Sequence, residues 1–435
     1  MPEELLQALR RARGVDAWRI VERLVERREL YLIGHRVDMR RAATVRRLEL
    51  TLYRDFQREG QSLRGSATLR VPTGCLKGEL ERLVERGAEA AGWAGNPFYP
   101  LVAPGSGEPE PPASSYAAHF VELEQALEPL ASGLFAAERE TAGARLNSAE
   151  LFVENVRTRI LNSEGLDVGF PSFRGSGELV VEARGPAGEV ELFQELSFAE
   201  ARAELLGDET RRLLELCRDR ARATPTPPLG SFPLLLAGEA VPQLFEYYTF
   251  HAAAESVYAR LARFSAGQSV QGERLRGDAL TLSLEPYLAH SASSAPWDAD
   301  GFPLRPVALV EAGLLQRYWG PLRYCHYLGV PPTGTLPNLR VLPGSRSLAK
   351  LRSRCLEAVS FSDFHLDAVT GDFGGELRLG YLVEEDGSRK PVSGGSVSGR
   401  IGELASMWLS AETQARPGYL GPLGLLLEPT AVTGG

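Results

Sequence analysis

Asp363, His365 and Asp367 alternate along the stretch SDFHLDA, and on a strand all three turn to one side, within reach of one cation. A solvated polar strand face gives the same pattern. His251 and Glu255 stand four residues apart in FHAAAES; on a helix they share a face and can share a metal, with a hydrogen bond along the helix as the plainer account. Thr370, Gly371, Asp372, Phe373 and Gly374 form a glycine-punctuated strand end that admits close backbone approach, as needed to add an extended peptide to a sheet edge. The alternative is a turn that the fold requires, with Asp372 hydrogen-bonding local amides. The run SGGSVSG at 393–399 has no Gly-Lys-Ser/Thr and no G-x-S-x-G, so it reads as neither a phosphate loop nor a nucleophile elbow. A turn opening a helix there, capped by Ser398 or Gly399, leaves a spot for a carboxylate.

These residues need elements to hold them. Leu5, Leu6 and Leu9 begin one amphipathic helix; Trp18, Val21, Leu24 and Val25 have the spacing of a second, capped by Asp16. Strands come next at 30–37, 46–53 and 66–71, then a helix over 78–92. Residues 96–115, with six prolines and two glycines, are a connection. A comparable order recurs: a helix at 116–140, strands at 149–161, 177–183 and 188–196, and a helix at 198–222. Pro225, Pro227, Pro228 and Pro233 forbid continued helix and place a domain border near 228. Beyond it strands dominate, interrupted by a helix over 248–264 and a short one over 401–411; Asp386-Gly387 signals a hairpin. The expectation is an α+β chain: an N-terminal α/β domain (1–227) with helices packed on a mixed sheet, then a β-rich C-terminal domain (228–435).

Composition sets the outer limits. A chain of 435 residues, 43% hydrophobic and 24% charged, is long enough for roughly two or three globular domains. No stretch approaches the ~18 apolar residues of a membrane span. The opening MPEELLQALRRARG lacks the apolar core of a secretory signal. Cys75, Cys217, Cys325 and Cys355 are far apart and unpaired in sequence, which reads as reduced thiols in a cytoplasmic protein. The net charge is −8, without a sustained basic run, which argues against direct nucleic-acid binding.

The ordered series Thr370-Gly371-Asp372-Phe373, Gly380-Tyr381, a hairpin, Pro391-Val392 and Ser398-Gly399 resembles the C-terminal signature of the TldD/PmbA family, described both as modulators of DNA gyrase and as peptide-degrading metalloproteases. Trp297-Asp298-Ala299-Asp300-Gly301, Val310 to Leu315, Thr333-Gly334, Asn162-Ser163-Glu164-Gly165 and the closing Thr430 to Gly435 are similar to further family motifs, so the resemblance runs from about residue 145 onward. The resemblance implies a TldD/PmbA-like fold. In the catalytic branch it also implies an HExxxH helix and a cysteine near the C-terminus that together bind zinc. In the register that keeps His251 as the first ligand, Ala252 takes the general-base position and Ser256 that of the second histidine. Glu255 lies between them, and Cys355 precedes the signature instead of coming after it. No HExxH or HExxxH occurs at His35, His119, His251, His290, His326 or His365. The departures match the PmbA/TldE type. That resemblance implies a subunit without zinc or catalytic residues of its own, paired with a zinc-bearing TldD-type protease subunit and enclosing unfolded peptide. Two other readings stand: a homodimeric peptide-binding or regulatory protein, and a hydrolase using residues outside the family pattern, such as the Asp363/His365/Asp367 face.

Overall fold

The computed structural model describes residues 2–117, 122–186, 188–272 and 276–435. Among them, the N-terminal half is organised on seven strands in the spatial order Asn96–Pro97, Gln61–Val71, Arg36–Arg58, Ala17–Ile33, Arg145–Asn162, Asp167–Gly185, Gly188–Phe198. Every pairing in this sheet is antiparallel, so the mixed sheet expected here is corrected. Four helices pack on one face: Pro2–Arg11 and Lys77–Ala91 over one end, Leu123–Glu140 and Ala203–Arg220 over the other. The carboxylate of Glu79 accepts from the amide of Leu76 at 2.9 Å and closes the first turn of Lys77–Ala91.

The helix expected from Trp18 is instead the central strand Ala17–Ile33, paired along its length with Arg36–Arg58 on one side and Arg145–Asn162 on the other. Both faces of the strand are covered in places. Ile20, Leu30 and Leu32 lie under the helices, while Val21 and Val25 are buried on the opposite face. Two apolar faces hide the period of two and leave a spacing that passes for helix. On the face away from the helices, Arg19, Arg23 and Arg27 alternate with those valines. The helix expected at 116–140 is Leu123–Glu140, preceded by a short 3-10 turn; residues 118–121, His119 included, lie outside the described residues.

The proline-rich connector is itself laid into the second half. Thr224–Pro225 runs parallel to Arg389–Ser393, and the amide of Thr226 donates to the carbonyl of Ser393 at 3.0 Å. From there the described residues form two further sheets. The larger runs Arg276–Gly277, Ser406–Leu409, Gly424–Val432, Gly230–Ala237, Cys355–Leu366, Asp372–Val383, Arg389–Ser393, Thr224–Pro225, with Ser396–Arg400 against Asp372–Val383 and Gly424–Val432. The smaller contains Val307–Glu311, Leu282–Glu285, Asn338–Val341 and Tyr419–Pro422. One apolar core joins them, with Leu234, Leu356 and Ala358 from the first sheet and Leu282, Leu309 and Val341 from the second. The architecture is α+β. No helix among the described residues is long and apolar enough to cross a membrane.

Two expected helices of this half are corrected. Residues 401–411 form a 3-10 turn, Ile401–Glu403, and a strand, Ser406–Leu409, whose Met407 pairs with Leu427. Ser398 and Gly399 therefore cap no helix; they lie in the strand Ser396–Arg400. Met407 and Leu409 are fully buried and Trp408 faces the other way, so a short alternation had the look of helical spacing. The helix expected at 248–264 is broken in two, Glu246–Ala252 and Ala254–Tyr258, and ends there.

Candidate functional site

The break falls beside His251. Ala253 adopts an extended conformation (φ −72°, ψ 132°), and the chain at Trp319 occupies the gap. The amide of Trp319 donates to the carbonyl of Ala252 at 3.1 Å, and the amide of Ala254 donates to the carbonyl of Trp319 at 2.7 Å. The indole N–H reaches back to the carbonyl of Thr249 at 2.8 Å. Helical hydrogen bonds are thus replaced by a two-residue bridge to a segment more than sixty positions downstream. His251 and Glu255 consequently do not share a helix face. His251 is fully buried, whereas Glu255 accepts a hydrogen bond from the hydroxyl of Tyr324 at 2.8 Å beyond the break. Ser256 is buried on that far side too, its carbonyl taking the amides of Leu261 and Ala262.

Aromatic rings enclose the imidazole. Tyr247 meets it edge-to-face at 4.5 Å between centroids, Phe264 at 5.4 Å and Phe250 at 5.3 Å. Neither ring nitrogen has a hydrogen-bond partner among the described residues. Burial lowers the imidazole pKa, and the positive charge of Arg263 lowers it further; the nearby backbone of Val369 and Leu261 pulls weakly the other way without normal hydrogen-bond geometry. Burial and Arg263 together hold the ring neutral.

Val369 belongs to the second candidate region, which the fold stacks directly on the first. Asp367 opens the turn: its carboxylate accepts from the amides of Val369 (2.8 Å) and Thr370 (3.2 Å), which holds its pKa below the usual carboxylate range. Gly371 comes next at φ +81°. A β-carbon there would stand 3.0 Å from the ring of Tyr247, so the turn and the His251 helix are in contact. The carbonyl of Gly371 also receives the amide of Ile401 at 2.9 Å. Asp372 accepts from Arg400 (2.5 and 3.2 Å) and from the hydroxyl of Thr370 (2.7 Å), and these bonds lower its pKa.

Asp372, Phe373 and Gly374 are not at a sheet edge. Phe373 pairs with Leu366 on one side and Gly399 on the other, and Gly374 pairs with His365 and Ser398. Both rows of main-chain groups are in use, so a peptide cannot add there as an extra strand. What the region exposes is the turn, at Val369. The Asp363/His365/Asp367 pattern dissolves similarly. Asp363 and His365 are exposed on the strand Cys355–Leu366, while Asp367 is committed to its turn. Glu246 comes near His365; burial raises its pKa and the imidazole partly offsets that. Among the described residues no group of three or more His, Cys, Asp or Glu is placed to hold a metal ion.

The zinc-binding donor set implied by the resemblance does not fit here. One buried imidazole with two idle nitrogens could serve as a ligand, but Ala252 and Ser256 bring neither base nor second imidazole, and the break turns Ser256 away. Cys355 is fully buried, and burial, then the carboxylate of Glu357, pushes its thiol up to about 12. Trp319, Phe264 and Tyr324, which shape the break and the aromatic enclosure, carry no local signal in the sequence; only their spatial neighbours reveal them.

Residues 229–424 match the PmbA/TldA metallopeptidase C-terminal domain. Over 194 residues the chain is 25% identical to a zinc metalloprotease TldD homolog from Saccharolobus solfataricus, a match spanning 40% of this chain and 42% of that protein's length. Among solved structures, TldE from Thermococcus kodakarensis superposes with a TM-score of 0.79 at 17% identity, covering 99% of both chains. A protein described as a modulator of DNA gyrase from Thermotoga maritima gives 0.78 at 19% identity over 100% of both. A second so described, from Bacteroides thetaiotaomicron, gives 0.75 at 18%, over 100% of this chain and 98% of that one. At these identities the structural likeness is one of fold.

Proposed function

We propose that this chain, a member of the TldD/PmbA family whose C-terminal domain residues 229–424 match, is a non-catalytic subunit of a two-subunit peptidase. It pairs with a zinc-bearing TldD-type subunit and forms part of the chamber that holds unfolded peptide. The observation that carries the reading is the state of the metal helix. Hydrolysis by zinc needs three protein ligands, an open coordination position and a base beside the bound water. Here the helix keeps a single histidine, sealed among Tyr247, Phe250 and Phe264, with alanine at the base position and a helix break before Ser256. The relative named a zinc metalloprotease supports the family part of this reading, and the match to the structure named TldE supports its fold.

The test is co-expression with a TldD-type subunit, and then cleavage of an unfolded peptide by each subunit alone and by both together. The expected result is co-purification, no cleavage by this chain alone, and cleavage by the pair. Zinc-dependent cleavage by this chain in isolation would overturn the assignment.

A further inference from the structure

Away from His251, a cavity of about 220 Å³ opens where the N-terminal sheet meets the C-terminal domain. Its walls include Tyr53 and Ser66 from the sheet, Tyr99 from the proline-rich connection, and Arg323 from the helix Leu322–Leu328. Arg323 is held without a counter-charge. Its Nη2 donates to Asn96 Oδ1 at 2.7 Å, its Nε points to the hydroxyl of Tyr327 at 3.3 Å, and the guanidinium lies 5.3 Å from the ring centre of Tyr99 and 5.1 Å from that of Tyr324. Among the described residues no carboxylate stands within ion-pair distance of it. The cavity's other cation, Arg19, is already matched by Asp300 and also donates to Thr51. The lining therefore carries one uncompensated positive charge.

Two idle donors accompany it. Tyr53 and Tyr99 are 4% and 9% exposed, their rings packed edge-to-face at 6.3 Å, and neither hydroxyl has a hydrogen-bond partner among the described residues. Both hydroxyls stay open to the cavity, since the buried polar atoms without a partner include that of Tyr116 and not these two. Burial raises the pKa of Tyr53, so it remains a protonated donor at neutral pH. Arg323 Nη1, which has no partner among the described residues, lines the same cavity as the two phenol hydroxyls, and together they make a donor set for a monoanion with two acceptor oxygens. The volume holds such a group and the few atoms next to it.

We propose that the cavity formed by Tyr53, Tyr99 and Arg323 binds the carboxylate of a ligand, either a small organic acid or the free C-terminus of a peptide. The peptide source rests on the function proposed above; the small-acid source does not, so the two readings fail separately.

Calorimetry on the full chain tests it with three probes: an N-acetylated dipeptide as free acid, the same dipeptide as C-terminal amide, and N-acetylglycine. The free acid is expected to bind at least about tenfold more tightly than the amide, the range for a charge-assisted hydrogen bond. N-acetylglycine binding as well as the dipeptide acid identifies a small acid as the ligand; a clear preference for the dipeptide identifies a peptide end. Arg323→Met should abolish the acid-over-amide preference. Because Arg323 also ties Asn96 and Tyr327, Tyr53→Phe is the second variant; it keeps the ring, and it should weaken the acid several-fold while leaving the amide unchanged. Equal binding of acid and amide, no binding of either acid at millimolar concentration, or unchanged acid binding in a folded Tyr53→Phe protein overturns the proposal.

Discussion

His251 and Asp298 are both buried and titratable, and burial moves them in opposite directions. The histidine pKa is lowered, so its contribution to stability is present above the unfolded value and fades as pH falls. Asp298 is pushed up to about 6 by burial, although the amides of Phe302 and Thr335 and the charge of Arg19 oppose the rise. A carboxyl raised above its unfolded value of 3.8 stabilises fully below that value, and the contribution is lost as pH rises through about 6. Asp298→Asn should remove this component. Melting temperatures from pH 4 to 7.5 should show a more negative slope with pH for the wild type than for the variant. Parallel profiles would mean that Asp298 keeps an ordinary pKa when folded. The same scale decides the zinc question. A lone neutral imidazole cannot replace a second histidine and a thiolate. Elemental analysis of protein purified without chelator should therefore show well under one zinc per chain, unchanged by His251→Ala. A full equivalent that disappears in that variant would restore a metal site.

At the scale of elements, the turn from Asp367 to Gly371 and the strand after it are held by close backbone approach. Gly371 has a positive φ and touches Tyr247; a β-carbon on Gly374 would stand 2.9 Å from the carbonyl of Val397. Gly371→Ala and Gly374→Ala should each lower stability by roughly 1–3 kcal/mol, from backbone strain and crowding. Asp372→Asn loses one member of an exposed pair with Arg400 and should change the melting temperature little. In the reconstituted pair, the folded fraction of the glycine variants should cleave peptide normally. Weaker cleavage at unchanged melting temperature would instead assign the stretch a direct part in holding peptide.

For the whole molecule, the two halves are tied by particular contacts. The hydroxyl of Tyr381 donates to Asp219 at 2.7 Å, and Arg416 reaches Glu209 at 3.2 Å. Glu209 is held below its usual pKa although burial alone would raise it, because Arg212 and Arg416 outweigh desolvation. A subunit built for an obligate partner presents a large surface that it covers by self-association when alone. Light scattering on the isolated chain should report a dimer or larger species, and a TldD-type partner should convert it to a mixed complex. A strict monomer that ignores the partner at micromolar concentration would count against pairing.

The α+β class, the strand-rich character of the second half and the ordered family motifs were legible in the sequence, because alternation, glycine turns and proline breaks are local. So were Ala252 and Ser256 at the positions where the resemblance implies a general base and a second histidine, a matter of residue identity alone. The strand at Ala17–Ile33 was not legible, since burial on both faces erased its alternation. Nor was the strand Ser406–Leu409, whose few residues fit either period until Gly424–Val432 paired with them. The broken helix depended on Trp319, whose main chain takes over the hydrogen bonds at Ala253. Spacing left open whether the strand end at Asp372 lies free at a sheet edge or belongs to a turn that the fold requires; pairing with Ser396–Arg400 closes the edge. Only the tertiary structure decided these points, because each turns on a hydrogen-bond partner or covering layer supplied from elsewhere in the chain, and local spacing does not specify what will pack against it.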